Sequence, residues 1–167
     1  MGLFDFVKDA GERLFGSTPD PAEASADAAA EAAAREAANQ AAAVALATHI
    51  RHLGFRVDGL QVAFDGGVAT VMGSVDSQRE REIVVLTAGN TKGVAQGDDR
   101  LTVDAPDPEP VAAFYTVVSG DTLSGISKTH YGNPMKYMAI FEANTPMLEN
   151  PDKIYPGQVL RIPPLEG

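Results

Sequence analysis

The sequence predicts an α+β chain built of two small modules, and three observations lead there. Along residues 43–103 the hydrophobic period changes from helical to two, back to helical and again to two. Residues 104–111 hold three prolines and three acids, a composition that suits a stiff connector better than helix or strand. Beyond it, residues 114–163 repeat the exchange of strand and helix signals on a smaller scale. A length of 167 residues accommodates two such modules.

The elements follow in order. Leu3, Val7, Ala10 and Leu14 fall at helical spacing with Phe4, Phe6 and Phe15 beside them, so a short amphipathic helix docked on the fold is expected. Its polar face is not basic, which argues against a membrane-surface helix. Gly16-Ser17-Thr18-Pro19-Asp20-Pro21 ends it and closes an N-terminal segment, residues 1–21. From Ala22 to Ala47 alanine dominates, which favours helix, yet the stretch to Ala38 has little bulk to bury and reads as a solvated or frayed spacer. Val44, Leu46, Ile50 and Leu53 then form the expected core stripe before Gly54. Leu60–Phe64 and Val68–Met72 read as strands about an Asp65-Gly66-Gly67 turn, with Gly73 marking a bend or close approach. Ser77-Gln78-Arg79-Glu80 is a capping box opening a helix with Ile83, Val84, Leu86 and Ala88, and Gly89 is its expected C′ residue. A last strand, Arg100–Val103, completes an αββαβ module over residues 22–104.

After the connector, residues 105–113, the second module spans 114–167. Phe114–Val117 is a strand; Thr122 caps a helix that runs to Tyr131 and is closed by Gly132. Asn133-Pro134 opens a further helix, since proline fits the first helical position. Met135, Met138, Ile140 and Phe141 form its expected buried stripe, with Asn144 after it. Val159–Ile162 is the final strand, so the order is βααβ.

Composition excludes several functions. Thirteen basic against 23 acidic residues leave a formal charge of −10, which suits neither nucleic acid nor an anionic membrane. No cysteine is present, so thiolate metal sites, disulfides and cysteine nucleophiles are excluded. No run of roughly 18 apolar residues exists for a membrane span. Asp5 and Asp9 stand where a secretory signal needs apolar residues, so a cytoplasmic location is expected. His49 and His52 are three apart on a helix without a third ligand nearby, and read as surface or boundary histidines. Asp98-Asp99 lacks EF-hand spacing and reads as a solvated turn. No serine elbow or phosphate-cradling glycine loop occurs, and with only three histidines, at 49, 52 and 130, no enzyme is expected.

Certain residues carry a resemblance. Tyr115-Thr116-Val117, Ser119-Gly120-Asp121-Thr122-Leu123, Tyr131-Gly132, Asn144, Pro156-Gly157-Gln158 and Leu160-Arg161-Ile162-Pro163 make the second module resemble the LysM domain. Asp65-Gly66-Gly67-Val68, Gly73 and Gly93-Val94 make the first resemble the BON domain. With its opening Met1–Glu12 and Ala88-Gly89-Asn90, the whole chain is similar to the bacterial cytoplasmic potassium-binding proteins of BON–LysM architecture. The alanine-rich stretch 22–43 departs from that pattern as an insertion. The resemblance implies a potassium ion held by main-chain carbonyls: those of Val7, Lys8 and Ala10 in the N-terminal segment, and those of Gly89, Thr91 and Val94 after the second BON helix. It also implies ion sensing coupled to BON–LysM docking, in a protein expected to be monomeric.

Elementary chemistry is compatible with that ligand set. The end of a helix leaves up to four carbonyls without partners and carries about half a negative charge. Neutral backbone oxygens replace the shell of a weakly hydrated ion such as potassium, whereas calcium and magnesium recruit carboxylates. The alternative is a binder of peptidoglycan or N-acetylglucosamine polymers. The LysM resemblance places that groove at Gly120, Asp121, Thr122 and Leu123 with Pro151, Asp152, Lys153 and Ile154.

Overall fold

A computed structural model describes residues 21–104 and 110–165, with side chains from Ser25 onward. The helix expected over residues 3–15, its breaker cluster and the middle of the proline-rich connector lie outside these. The chain divides into two compact units, Met1–Ala37 and Ala38–Gly167. The described part of the first is the opening of a long helix, exposed from Ser25 on.

That helix, α1, runs unbroken over Pro21–His52, so the alanine-rich stretch is continuous helix. In the second unit Leu46 and Ile50 face the core, at 4% and 0% exposure, while Val44 is 62% exposed. The expected stripe is corrected there. At 3.6 residues per turn Val44 lies about 200° from Leu46, on the opposite side, and Asn39, Ala42 and Ala43 continue the inner face instead.

Strands β1 (Asp58–Asp65) and β2 (Val68–Val75) pair antiparallel about Gly66 and Gly67, both at positive φ. The register changes between Asp58 opposite Ser74 and Gln61 opposite Met72, so β1 carries one extra residue. Gly73 sits against that bulge. A Cβ there would lie 2.7 Å from Val57 Cγ1 and 2.8 Å from the Asp58 carbonyl, the close approach expected of it.

Helix α2 (Gln78–Gly89) begins as predicted, Ser77 Oγ accepting from the Glu80 N–H at 3.1 Å. The second half of the capping box is replaced. Glu80 Oε1 accepts instead from the Arg56 N–H at 2.9 Å, tying down the connection between α1 and β1. Strand β3 (Gln96–Val103) lies parallel to β2, giving a sheet of order β1-β2-β3. Leu46, Ile50, Val71, Val75, Val84 and Leu101 form the core between α1, α2 and this sheet. Asp98 and Asp99 belong to β3 rather than to a turn. Their carboxylates are engaged, Asp98 by Thr70 and Arg100, and Asp99 by Arg81 at 2.8 Å.

The remainder is a βααβ arrangement. Strands β4 (Ala113–Thr116) and β5 (Val159–Ile162) pair antiparallel. Thr122 caps α3 (Leu123–Tyr131), accepting from the Gly125 N–H, and Gly132 closes it in the left-handed region. A 3-10 turn, Pro134–Lys136, precedes α4 (Tyr137–Ala143). Because Met135 belongs to that turn and not to α4, it falls out of phase with the helix and is 76% exposed; Met138 is exposed too. Tyr137 and Phe141, one helical turn apart, join the buried Ile140 in the core with Val117, Leu123, Ile126 and Leu160.

The two cores share one unit, joined where α2 meets β5. Arg161 Nε meets Glu82 Oε2 at 2.6 Å with both side chains buried, and Glu82 Oε1 also accepts from Gln78 Nε2 at 2.9 Å. A buried ion pair is costly to desolvate, and removing one partner leaves the other charge buried without its counter-ion.

Candidate functional site

The last residue of α2 and the segment after it carry three of the six carbonyls implied by the resemblance. Val7, Lys8 and Ala10 lie outside the described residues. Gly89 is not the left-handed C′ residue expected of it; it is the last residue of α2, capped by Asn90 at φ −85° and ψ −2°. The left-handed turn comes later, at Gly93 with φ +93°. The chain therefore leaves the helix through Asn90 and Thr91 before turning toward β3.

Most carbonyls at this helix end are satisfied locally. Leu86 O accepts from the Asn90 N–H at 2.8 Å, Ala88 O from the Thr91 N–H at 3.2 Å, and Thr87 O from Thr91 Oγ1 at 2.8 Å. Thr91 O accepts one bond, from the Val94 N–H at 3.0 Å, and keeps a second lone pair. Among the described residues, nothing donates to the carbonyls of Gly89, Lys92, Gly93 or Val94. Gly89, Thr91 and Val94 are half-buried, whereas Lys92 and Gly93 are exposed. Peptide planarity adds direction. The Asn90 N–H points back to Leu86, so the Gly89 C=O, antiparallel in the same peptide plane, points out beyond the helix end.

Two hollows flank this loop. An apolar groove of about 510 Å³ is lined by Ala42, Leu46, Phe64, Lys92, Gly93 and Val94. On the other side a cleft of about 320 Å³ lies between His49, Asn90 and Thr91 and the segment containing Met147, Lys153 and Tyr155. Formal charge near the loop comes from Lys92, and from Glu149 and Lys153 across the cleft. No group of three or more His, Asp or Glu is gathered among the described residues. His49 and His52 are exposed on α1.

Asn90 is the residue that sequence reasoning passed over. Its Nδ2 donates to the Val159 carbonyl at 2.8 Å and its Oδ1 accepts from the Val159 N–H at 2.8 Å, so the amide sits on β5 as a neighbouring strand would. The Tyr155 hydroxyl donates to the Asn90 carbonyl at 3.1 Å, and burial pushes the Tyr155 phenol above its ordinary pKa. No local signal marks these contacts, since the partners stand 65 and 69 residues away.

The residues expected to line a glycan groove occupy the two loops at one end of the β4–β5 pair, an end closed by the Gly157 N–H donating to Val117 O at 2.8 Å. Several have internal roles. Asp121 Oδ2 accepts from the Tyr115 hydroxyl and the Val118 N–H, both at 2.9 Å, and the Asp121 bond raises the Tyr115 pKa. Thr122 caps α3, while Leu123 and Ile154 pack in the core. Gly120, Asp152 and Lys153 are left with Pro151 to face outward, and the Asp152 N–H closes an Asx turn on Asn150.

No described helix is long and apolar enough to cross a membrane. The LysM domain family matches residues 115–163. An uncharacterized protein of Deinococcus radiodurans is 36% identical over 114 residues, 62% of this chain and 44% of its own length. The Potassium binding protein Kbp of Escherichia coli O6:H1 is 43% identical over 164 residues, which cover 98% of this chain and 99% of that protein. With nearly the whole of both sequences aligned at that identity, the chain belongs to the Kbp family and carries a LysM domain at residues 115–163.

Proposed function

We propose that this chain binds potassium and responds to it, with the ion held by main-chain carbonyls of Gly89, Thr91 and Val94 and by those of Val7, Lys8 and Ala10 from the N-terminal segment. The observation that carries the reading is the near full-length likeness to a protein named for potassium binding. The loop supports it independently: the Gly89 and Val94 carbonyls accept no hydrogen bond from the described residues, and Thr91 has a lone pair to spare. In this reading the ion orders the N-terminal segment and the loop together, favours docking of the LysM domain on the αββαβ part, and the protein acts as a cytoplasmic monomer that catalyses no reaction. The response is set by the difference in ion affinity between docked and undocked states. The net charge of −10 attracts every cation and cannot discriminate among them, so selectivity rests on the carbonyl cage. Isothermal titration of ion-free protein with KCl, against NaCl at equal ionic strength, tests this. Saturable one-site binding of potassium alone is expected, and no heat with either salt would remove the proposal.

The LysM match favours a second reading, a glycan-binding groove at Gly120–Leu123 and Pro151–Ile154. Chitin oligomers should then shift the amide signals of those loops; unshifted spectra at millimolar oligomer would end it.

A further inference from the structure

The free edge of β5 is covered by two asparagine side chains. Asn144, just after α4, donates to the Arg161 carbonyl and accepts from the Arg161 N–H, both at 2.8 Å. Asn90 does the same to Val159, two residues earlier on that edge, also with both bonds at 2.8 Å. Asn144 is an internal brace of the βααβ part. Asn90 reaches the same edge from outside it, from the C-cap of α2. An unpaired strand edge is a strong template, and a side-chain amide that fills both its donor and its acceptor is held in one orientation.

The consequence falls on the two peptide planes beside Asn90. Its N–H is fixed to Leu86 O and its carbonyl to the Tyr155 hydroxyl, while its side chain is fixed to β5. The plane carrying the Gly89 carbonyl and the plane leading into Thr91 are both set by those bonds. The Gly89 carbonyl, one of the three loop carbonyls assigned to the ion, lies in the first of these planes; the Thr91 carbonyl lies in the plane that follows the second, which fixes where that next plane begins. We infer that Asn90 is a positioning residue for the ion site. Through it, strand β5 and Tyr155 hold the loop carbonyls in their binding geometry, and the arrival of the ion is read out at β5. This rests on the potassium reading above. Asn90 does not touch the ion with its side chain. It lowers the ordering that binding must impose on the loop, which is how preorganisation raises affinity.

The test uses the full chain and KCl, with NaCl keeping ionic strength constant. In the wild type, potassium is expected to shift the Val159 amide signal together with those of residues 89–94. In Asn90→Ala, affinity for potassium is expected to fall about tenfold, the loop signals still moving at high KCl while Val159 stays still. Tyr155→Phe keeps the ring and removes one bond to the loop, so a loss of about two- to threefold is expected in a protein folded like the parent. A merely structural role for Asn90 would lower stability without uncoupling Val159 from the ion. Potassium affinity in Asn90→Ala and Tyr155→Phe within error of the wild type, or a wild-type Val159 signal unmoved by saturating potassium, would overturn the inference while leaving the ion site standing. Failure of the wild type to bind potassium would overturn both.

Discussion

Gly73 shows how much one position decides. The residue sits at φ +142° with Val57 and the Asp58 carbonyl inside contact distance of any added Cβ, against the extra residue of β1. Gly73→Ala therefore combines a strained backbone with overpacking, and chemical denaturation should report a loss of about 2–4 kcal/mol. Its character was legible, since a glycine inside an alternating run signals a bulge or close approach. Val44 was not. Leu46→Ala should cost about 2–5 kcal/mol, whereas Val44→Ala should stay within about 0.5 kcal/mol, because only Leu46 leaves a cavity. An alanine-rich helix has too few bulky residues to fix the phase of its inner face, and one valine tilted the sequence reading the wrong way. Met135 misled for a different reason: a 3-10 turn came between it and the helix whose stripe it was assigned to.

Elements and their order were readable because each carries its own local signature. Caps at Ser77, Thr122 and Asn133, the glycine turn at 66–67 and the closing Gly132 all lie where their chemistry requires. The capping box at Ser77 formed only in half, since Glu80 found a better use on the backbone of Arg56. What no local signature reveals is the seam between α2 and β5. Its buried pair, Glu82 with Arg161, spans 79 residues of sequence. Arg161→Met leaves the Glu82 carboxylate buried without its cation and should cost about 3–5 kcal/mol. Adding Glu82→Met should recover most of that, because two apolar side chains replace two desolvated charges. Urea unfolding of the two variants separates these outcomes; equal instability of single and double variants would show that the seam depends on packing and not on the pair.

At the scale of the molecule, the candidate loop is a junction. Its carbonyls were assigned through resemblance; the bonds that tie this segment to β5, from the Asn90 side chain and the Tyr155 hydroxyl, depend on tertiary packing and left no trace in spacing. That seam also makes stability sensitive to alkali. The Tyr155 phenol donates to the Asn90 carbonyl and is raised by burial above its ordinary value of 10.0, and Tyr131 is raised as well by burial, with the Arg161 charge opposing. An acid whose folded pKa is raised contributes stability that is complete below its unfolded value and is lost as pH rises through the folded one. Stability should therefore decline as pH climbs past 10.0, and Tyr155→Phe should flatten its own share of that slope in denaturation midpoints measured from pH 8 to 11.

The central claim is that backbone oxygens of the loop after α2 hold potassium. The most direct measurement is carbonyl carbon NMR of the full chain during a KCl titration, with NaCl as the counterpart at constant ionic strength. Saturable shifts at the carbonyls of Gly89, Thr91 and Val94 with one common dissociation constant, and none with sodium, are predicted. Carbonyls that stay put, or move alike and without saturation in both salts, would contradict the account.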